Sequence, residues 1–171
     1  YFLYENKLAF NAQDSATLQV VSDMIKERLY MKNPVYISPY YVKPSILIYH
    51  TARLIHAFNI PKLNAYKKQL IQDAMELYRS SAGIMDKIIL STSVLKLGGS
   101  MPVLDIPGIA AFEQSNQQHF VFFQARAAFS YPSPFKQVFL HWNYINYYFY
   151  CPAYNKMLWL EYLVERNKKK N

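Results

Sequence analysis

Apolar residues recur along the chain in two kinds of pattern, one confined to a single helical face and one running nearly all round. Leu18, Val21, Ile25 and Leu29 fall on one side of a helix, and Gln19, Asp23, Lys26 and Glu27 fall on the other. This spacing predicts a surface helix over residues 15–31, with Asp14 at its N-cap. Pro44 suits the first turn of a second helix over 44–58. There Leu47, Ile48, Thr51, Leu54, Ile55 and Phe58 cover one arc, and Ser45, Tyr49, His50, Arg53 and His56 gather on the other. Pro61 ends that element and opens a one-striped helix over 62–79, with Leu63, Tyr66, Leu70, Ala74 and Leu77 facing inward. After Gly83, the run from Ile84 to Leu97 is apolar on all sides except at Asp86, Lys87 and Lys96, which predicts a helix contacted from several directions. Gly98 and Gly99 supply its stop.

The remaining segments are less regular. Tyr1 to Phe10 reads as an extended or irregular opening, and Asn33 to Pro44 as a loop fixed by its prolines and tyrosines. Pro107 to Ser115 suits a short helix, and His119 to Phe123 suits either a strand or part of a longer helix. Tyr131 to Tyr150 is dense in aromatic residues without a readable period. Pro152 opens a last helix through about Asn167, with Met157, Leu160 and Val164 as the expected inner stripe. The expected fold is therefore mainly α: antiparallel αα-hairpins in a partial toroid or open helical array, with an irregular aromatic-rich segment before the last helix. Residues 1–171 are read as a single helical domain, and the chain as a piece of a longer protein remains an open alternative.

Composition adjusts this picture in four ways. Apolar residues make up 52% and charged residues 18%, a balance that favours burial over disorder. No apolar stretch approaches the ~20 residues of a membrane span, so a soluble chain is expected. Cys151 is the single cysteine, which rules out an internal disulfide and is compatible with a reducing, cytoplasmic setting. The net charge of +8 raises the question of nucleic acid, but the basic residues are scattered apart from Lys168 to Lys170, so nucleic acid is not the expected partner.

The run YISPYYVKPSILIYHTARL, Tyr36 to Leu54, is followed by an amphipathic helix, a glycine and an apolar helix ending VLKLGG, Val94 to Gly99. Together these resemble part of the α/α-toroid of terpenoid cyclases and protein prenyltransferase β subunits. The aromatic stretch with Trp142 and Tyr144 is similar to the segment that leads into a late hairpin of that fold. The resemblance spans about residues 10–165 and implies half a ring, an open helical array or a remote derivative. The chain departs from the family at its catalytic motifs. No Asp-x-Asp-Asp or Asp-Asp-x-x-Asp occurs, and Phe149 stands two residues before Cys151 where a zinc-holding aspartate belongs. Gln137 and Trp142 also lack the spacing and glycine of the family repeat. The fold is implied without the chemistry, so the expectation is a chain that is not an enzyme and uses no cofactor.

The leading candidate site is the polar arc of Tyr49, His50, Arg53 and His56, whose spacings of three and four place them on one helical face. An arginine fork with neighbouring imidazoles suits an anionic or hydroxylated ligand. His141 and Trp142 in the aromatic run are the second candidate, where an exposed ring would stack on a ligand. The expected partner is a hydrophobic or hydroxylated small molecule held in an aromatic concavity, or alternatively another protein docked on a basic, aromatic surface. The oligomeric state stays open. Asp73 and Glu76 are read as a solvated acid pair, and Cys151 as a small buried hydrophobe. No histidine, cysteine or acid spacing suits a metal, and four glycines at 83, 98, 99 and 108 leave no phosphate-binding loop.

Overall fold

In a computed structural model, residues 6–9, 11–38, 41, 43–81, 83–104, 123–126, 146–149 and 151–168 are described. They are mainly helical. Helix α1 (Ala12–Lys26) starts three residues earlier than the periodicity predicts, because Asn11 and Asp14 form a reciprocal cap. The Asn11 side chain accepts from the Asp14 amide at 2.9 Å, and the Asp14 carboxylate accepts from the Asn11 amide at 3.0 Å. Two orphan donors are satisfied at once, with Asp14 in the third helical position and not at the cap.

The expected helix through residue 31 is broken at Arg28, whose backbone is left-handed at φ 52°, and it resumes as the single turn α2 (Leu29–Lys32). Helix α3 (Pro34–Ile37) is another single turn. Helix α4 (Pro44–Phe58) begins at its proline as predicted and ends where Asn59 adopts a left-handed φ of 48° and donates to the Ile55 carbonyl. The expected helix over 62–79 divides into α5 (Pro61–Asn64) and α6 (Lys67–Ser80). Helix α7 (Ile84–Lys96) is followed by Gly98 at φ 90° and by Gly99 donating to the Val94 carbonyl at 2.9 Å. Strands β1 (Phe123–Arg126) and β2 (Asn146–Phe149) pair antiparallel, with Phe123 opposite Phe149 and Arg126 opposite Asn146. Helix α8 (Pro152–Lys168) closes the described chain.

Helix α7 packs against α4, α6 and α8, the several-sided burial that its all-round apolar sequence requires. Three residues join α6 to α7, so the two run antiparallel as a hairpin. Two hydrophobic clusters flank the inner pair α4 and α7. One gathers Ile25, Leu47, Ala52, Leu70, Leu90 and Val94, and the other gathers Ile46, Tyr49, Ile88, Leu158, Trp159 and Tyr162. Helices α4 and α7 contribute to both, which buries Ser45 and Tyr49 on the arc that the sequence alone assigns to the polar side. The buried hydroxyls of Thr51, Thr92 and Ser93 are satisfied within their own helices, donating to the carbonyls of Leu47, Ile88 and Ile89 at 2.6–2.8 Å.

Helix α8 presents the opposite face to the one its periodicity suggests. Leu158, Trp159 and Tyr162 are buried, whereas Met157, Leu160 and Val164 are 43%, 50% and 53% exposed. The two large rings and Leu158 remove more apolar area from water than the narrower aliphatic stripe, and they favour this rotation of the helix. Asp73 is likewise buried and not solvated. It accepts from the Tyr30 hydroxyl and pairs with Arg28 at 2.7 Å. Among the described residues no helix is long and apolar enough to cross a membrane.

Candidate functional site

The polar arc of α4 does not face open solvent. Tyr49, fully buried, donates its hydroxyl to Glu161 of α8, a residue 112 positions away in sequence. Arg53 lies one turn further on, its Nε 3.7 Å from the other Glu161 oxygen and its guanidinium carbon 5.4 Å from the centre of the Tyr49 ring. Lys96, at the end of α7, reaches the same Glu161 oxygen at 3.1 Å and Glu165 at 2.9 Å. Lys168 also reaches Glu165, at 3.0 Å. Three helices therefore meet at a network of two carboxylates and three cations. Its inner members are Lys96 and Glu165, 9% and 8% exposed, and Arg53 and Glu161, 33% and 20% exposed, lie toward solvent on one side and Lys168 on the other.

His50 turns to the aromatic side of this edge. Its ring centre is 4.6 Å from that of Tyr41 and 5.5 Å from that of Tyr49. Burial, helped by the Arg53 charge and opposed by Glu161, lowers the imidazole to about 4, so His50 is neutral at pH 7. Burial also pushes the Tyr49 hydroxyl far up, and its hydrogen bond to Glu161 and the carboxylate charge push the same way. Tyr154 of α8 is raised chiefly by burial. For Glu165 burial works upward, but the hydrogen bonds and charges of Lys96 and Lys168 outweigh it and leave the carboxyl below its usual value.

Of the residues predicted from sequence, Tyr49, His50 and Arg53 are brought together. His56 is separate: it is exposed, and its Nδ1 lies 3.0 Å from the Lys96 carbonyl, where it can only donate, at the C-terminal end of α7. His141 and Trp142 lie outside the described residues. Sequence reasoning missed Glu161, Glu165 and Lys96, and it overlooked that Glu161 and Glu165 form a second acid pair at helical spacing. The signal that would have found them is Trp159 with Tyr162. Placing those rings inward turns the Glu161 and Glu165 side of α8 toward α4 and α7.

Chemically, the edge offers a carboxylate acceptor, a guanidinium donor, a neutral imidazole and tyrosine rings. Among the described residues no group of three or more His, Cys, Asp or Glu side chains could hold a metal ion. Cys151 is exposed, not buried as expected. No family model matches the chain, and neither a curated protein nor a solved structure shows significant similarity to it.

Proposed function

We propose that the chain is a non-catalytic helical domain of α/α-toroid-like build that binds a small hydroxylated ligand at the edge formed by Tyr41, His50, Arg53, Tyr154 and Glu161. The observation that carries this reading is the convergence of Tyr49, His50 and Arg53 of α4 with Glu161 of α8, leaving Arg53 and Glu161 partly exposed beside aromatic rings. A polyol needs alternating donors and acceptors against an apolar ring face, and this edge supplies both. The absence of catalytic motifs in the sequence supports binding over turnover.

Calorimetric titration with a panel of monosaccharides, polyols and long-chain isoprenoid alcohols tests the reading. Binding of at least one class is expected, with loss of that binding in Arg53→Ala while circular dichroism stays unchanged. A panel without binders, or a binder indifferent to Arg53→Ala, removes the site. A second reading, an interaction module, is favoured by a different observation: the apolar outer face of α8.

A further inference from the structure

We infer that the outer face of α8 is a docking seam for an acidic amphipathic helix of another protein. This inference rests on the interaction-module reading and names the partner. Ala153, Met157, Leu160 and Val164 follow one another at steps of four, three and four, the a/d spacing of a coiled-coil seam. All four are exposed, diametrically opposite the buried Tyr162. The stripe runs about 17 Å along the helix at 1.5 Å per residue, and it is narrow. A face meant for a lipid surface is broader and carries aromatic residues with a large polar face opposite, whereas the opposite face here is the protein core.

Charge selects the partner. Lys156 flanks the stripe on one side, and Lys168, paired with Glu165 at 3.0 Å but 58% exposed, flanks it on the other. Glu161 and Glu165, the acids of this helix after its first turns, already face three cations: Arg53, Lys96 and Lys168. The surroundings of the seam are thus net positive, the sequence continues into Lys169 and Lys170, and the whole chain carries +8. A second copy would bring the same positive flanks against these. A helix with apolar a and d positions and glutamates at e and g complements both the stripe and its borders.

The test uses the full chain and a fluorescent synthetic peptide of about four heptads with Leu at a and d and Glu at e and g. A matching peptide with Lys at e and g serves as the control, beside phosphatidylserine vesicles. Fluorescence anisotropy is expected to show the Glu peptide binding tighter than about 100 μM and weakening with added salt, while the Lys peptide does not bind. Leu160→Glu should weaken that binding at least tenfold and Lys156→Glu severalfold, with unchanged circular dichroism because neither side chain enters the core. Equal binding of the two peptides, or Glu-peptide binding indifferent to Leu160→Glu, overturns the proposal. If sedimentation instead shows a dimer dissolved by Leu160→Glu, or vesicles bind in a Leu160-dependent manner without the peptide, the partner is wrong and the seam survives as a surface. If Leu160→Glu changes none of the three, the module reading falls with the proposal.

Discussion

Removing the carboxylate of Glu161 probes the network at its centre. In Glu161→Ala the buried Tyr49 hydroxyl loses its acceptor, Arg53 loses its pair at 3.7 Å and Lys96 loses one of two carboxylates. An unsatisfied buried hydroxyl costs about 1–3 kcal/mol. Breaking a fully buried ion pair costs about 3–5 kcal/mol, but that figure does not apply here: Lys96 keeps Glu165 at 2.9 Å, and Glu161 is 20% exposed. The expected loss is therefore about 2–4 kcal/mol, set mainly by Tyr49. With a urea slope of about 1–3 kcal/mol/M, the unfolding midpoint should fall by roughly 1 M or more. Glu161→Gln keeps an acceptor for Tyr49 and should lose about half as much. In the cycle with Tyr49→Phe, the double variant should be more stable than the two losses added, by about 0.5–3 kcal/mol. A midpoint shift below about 0.3 M for Glu161→Ala, or simple additivity in the cycle, would refute the claim that this pair holds α8 to α4.

Acid should destabilise the fold through His50. Its folded value of about 4 lies below the ordinary 6.5, so the unfolded chain takes up the proton first, and stability present above pH 6.5 drains away as the pH falls toward 4. The loss is on the order of 2 kcal/mol by pH 5, and Glu165, held below its usual value, adds to it at lower pH. Urea midpoints at pH 7 and pH 5 check this, and equal midpoints contradict it. Arg53→Ala should cost only about 0.2–1 kcal/mol, because its ion pair is long and a third exposed, which chemical denaturation resolves. Gly99→Ala should cost about 1–3 kcal/mol by thermal melting, since the added Cβ would lie 2.6 Å from Val94 Cγ1 and 3.2 Å from the Val94 carbonyl oxygen.

Local signals made part of this fold legible in the sequence. Helix α4 runs over the predicted residues because Pro44 pre-sets its first turn, and α7 matches because its glycines stop it and its charges are few. The three-sided packing of α7 follows from an apolar surface with no side left for water. What was illegible depends on partners distant in sequence. The burial of Asp73 is tolerable because Tyr30 and Arg28, more than forty positions earlier, both reach it. Periodicity in α8 fits two faces, since Met157, Leu160 and Val164 recur at helical spacing just as Leu158, Trp159 and Tyr162 do. The packing of Leu158, Trp159 and Tyr162 against α4 and α7, together with the ion pairs of Glu161 and Glu165, chooses between them. The polar arc of α4 was found from its spacing, while its partner Glu161 was hidden by the wrong rotation of α8.

The rotation of α8 links the candidate ligand edge to the seam. Trp159 and Tyr162 favour burial of one side of the helix, but apolar packing alone tolerates a helix turned by a fraction of a residue step. The ion pairs are less tolerant: Glu161 must meet Tyr49, Arg53 and Lys96, and Glu165 must meet Lys96, both from one flank of the helix. Turning the apolar stripe inward would carry both carboxylates away from Lys96, whose side chain is 9% exposed, and would leave that charge without either acceptor. Desolvating these charges costs stability that a hydrophobic contact would not, so the network contributes more to orientation than to net stability. The same carboxylates that shape the Arg53 edge on one side of α8 therefore keep Met157, Leu160 and Val164 facing solvent on the other.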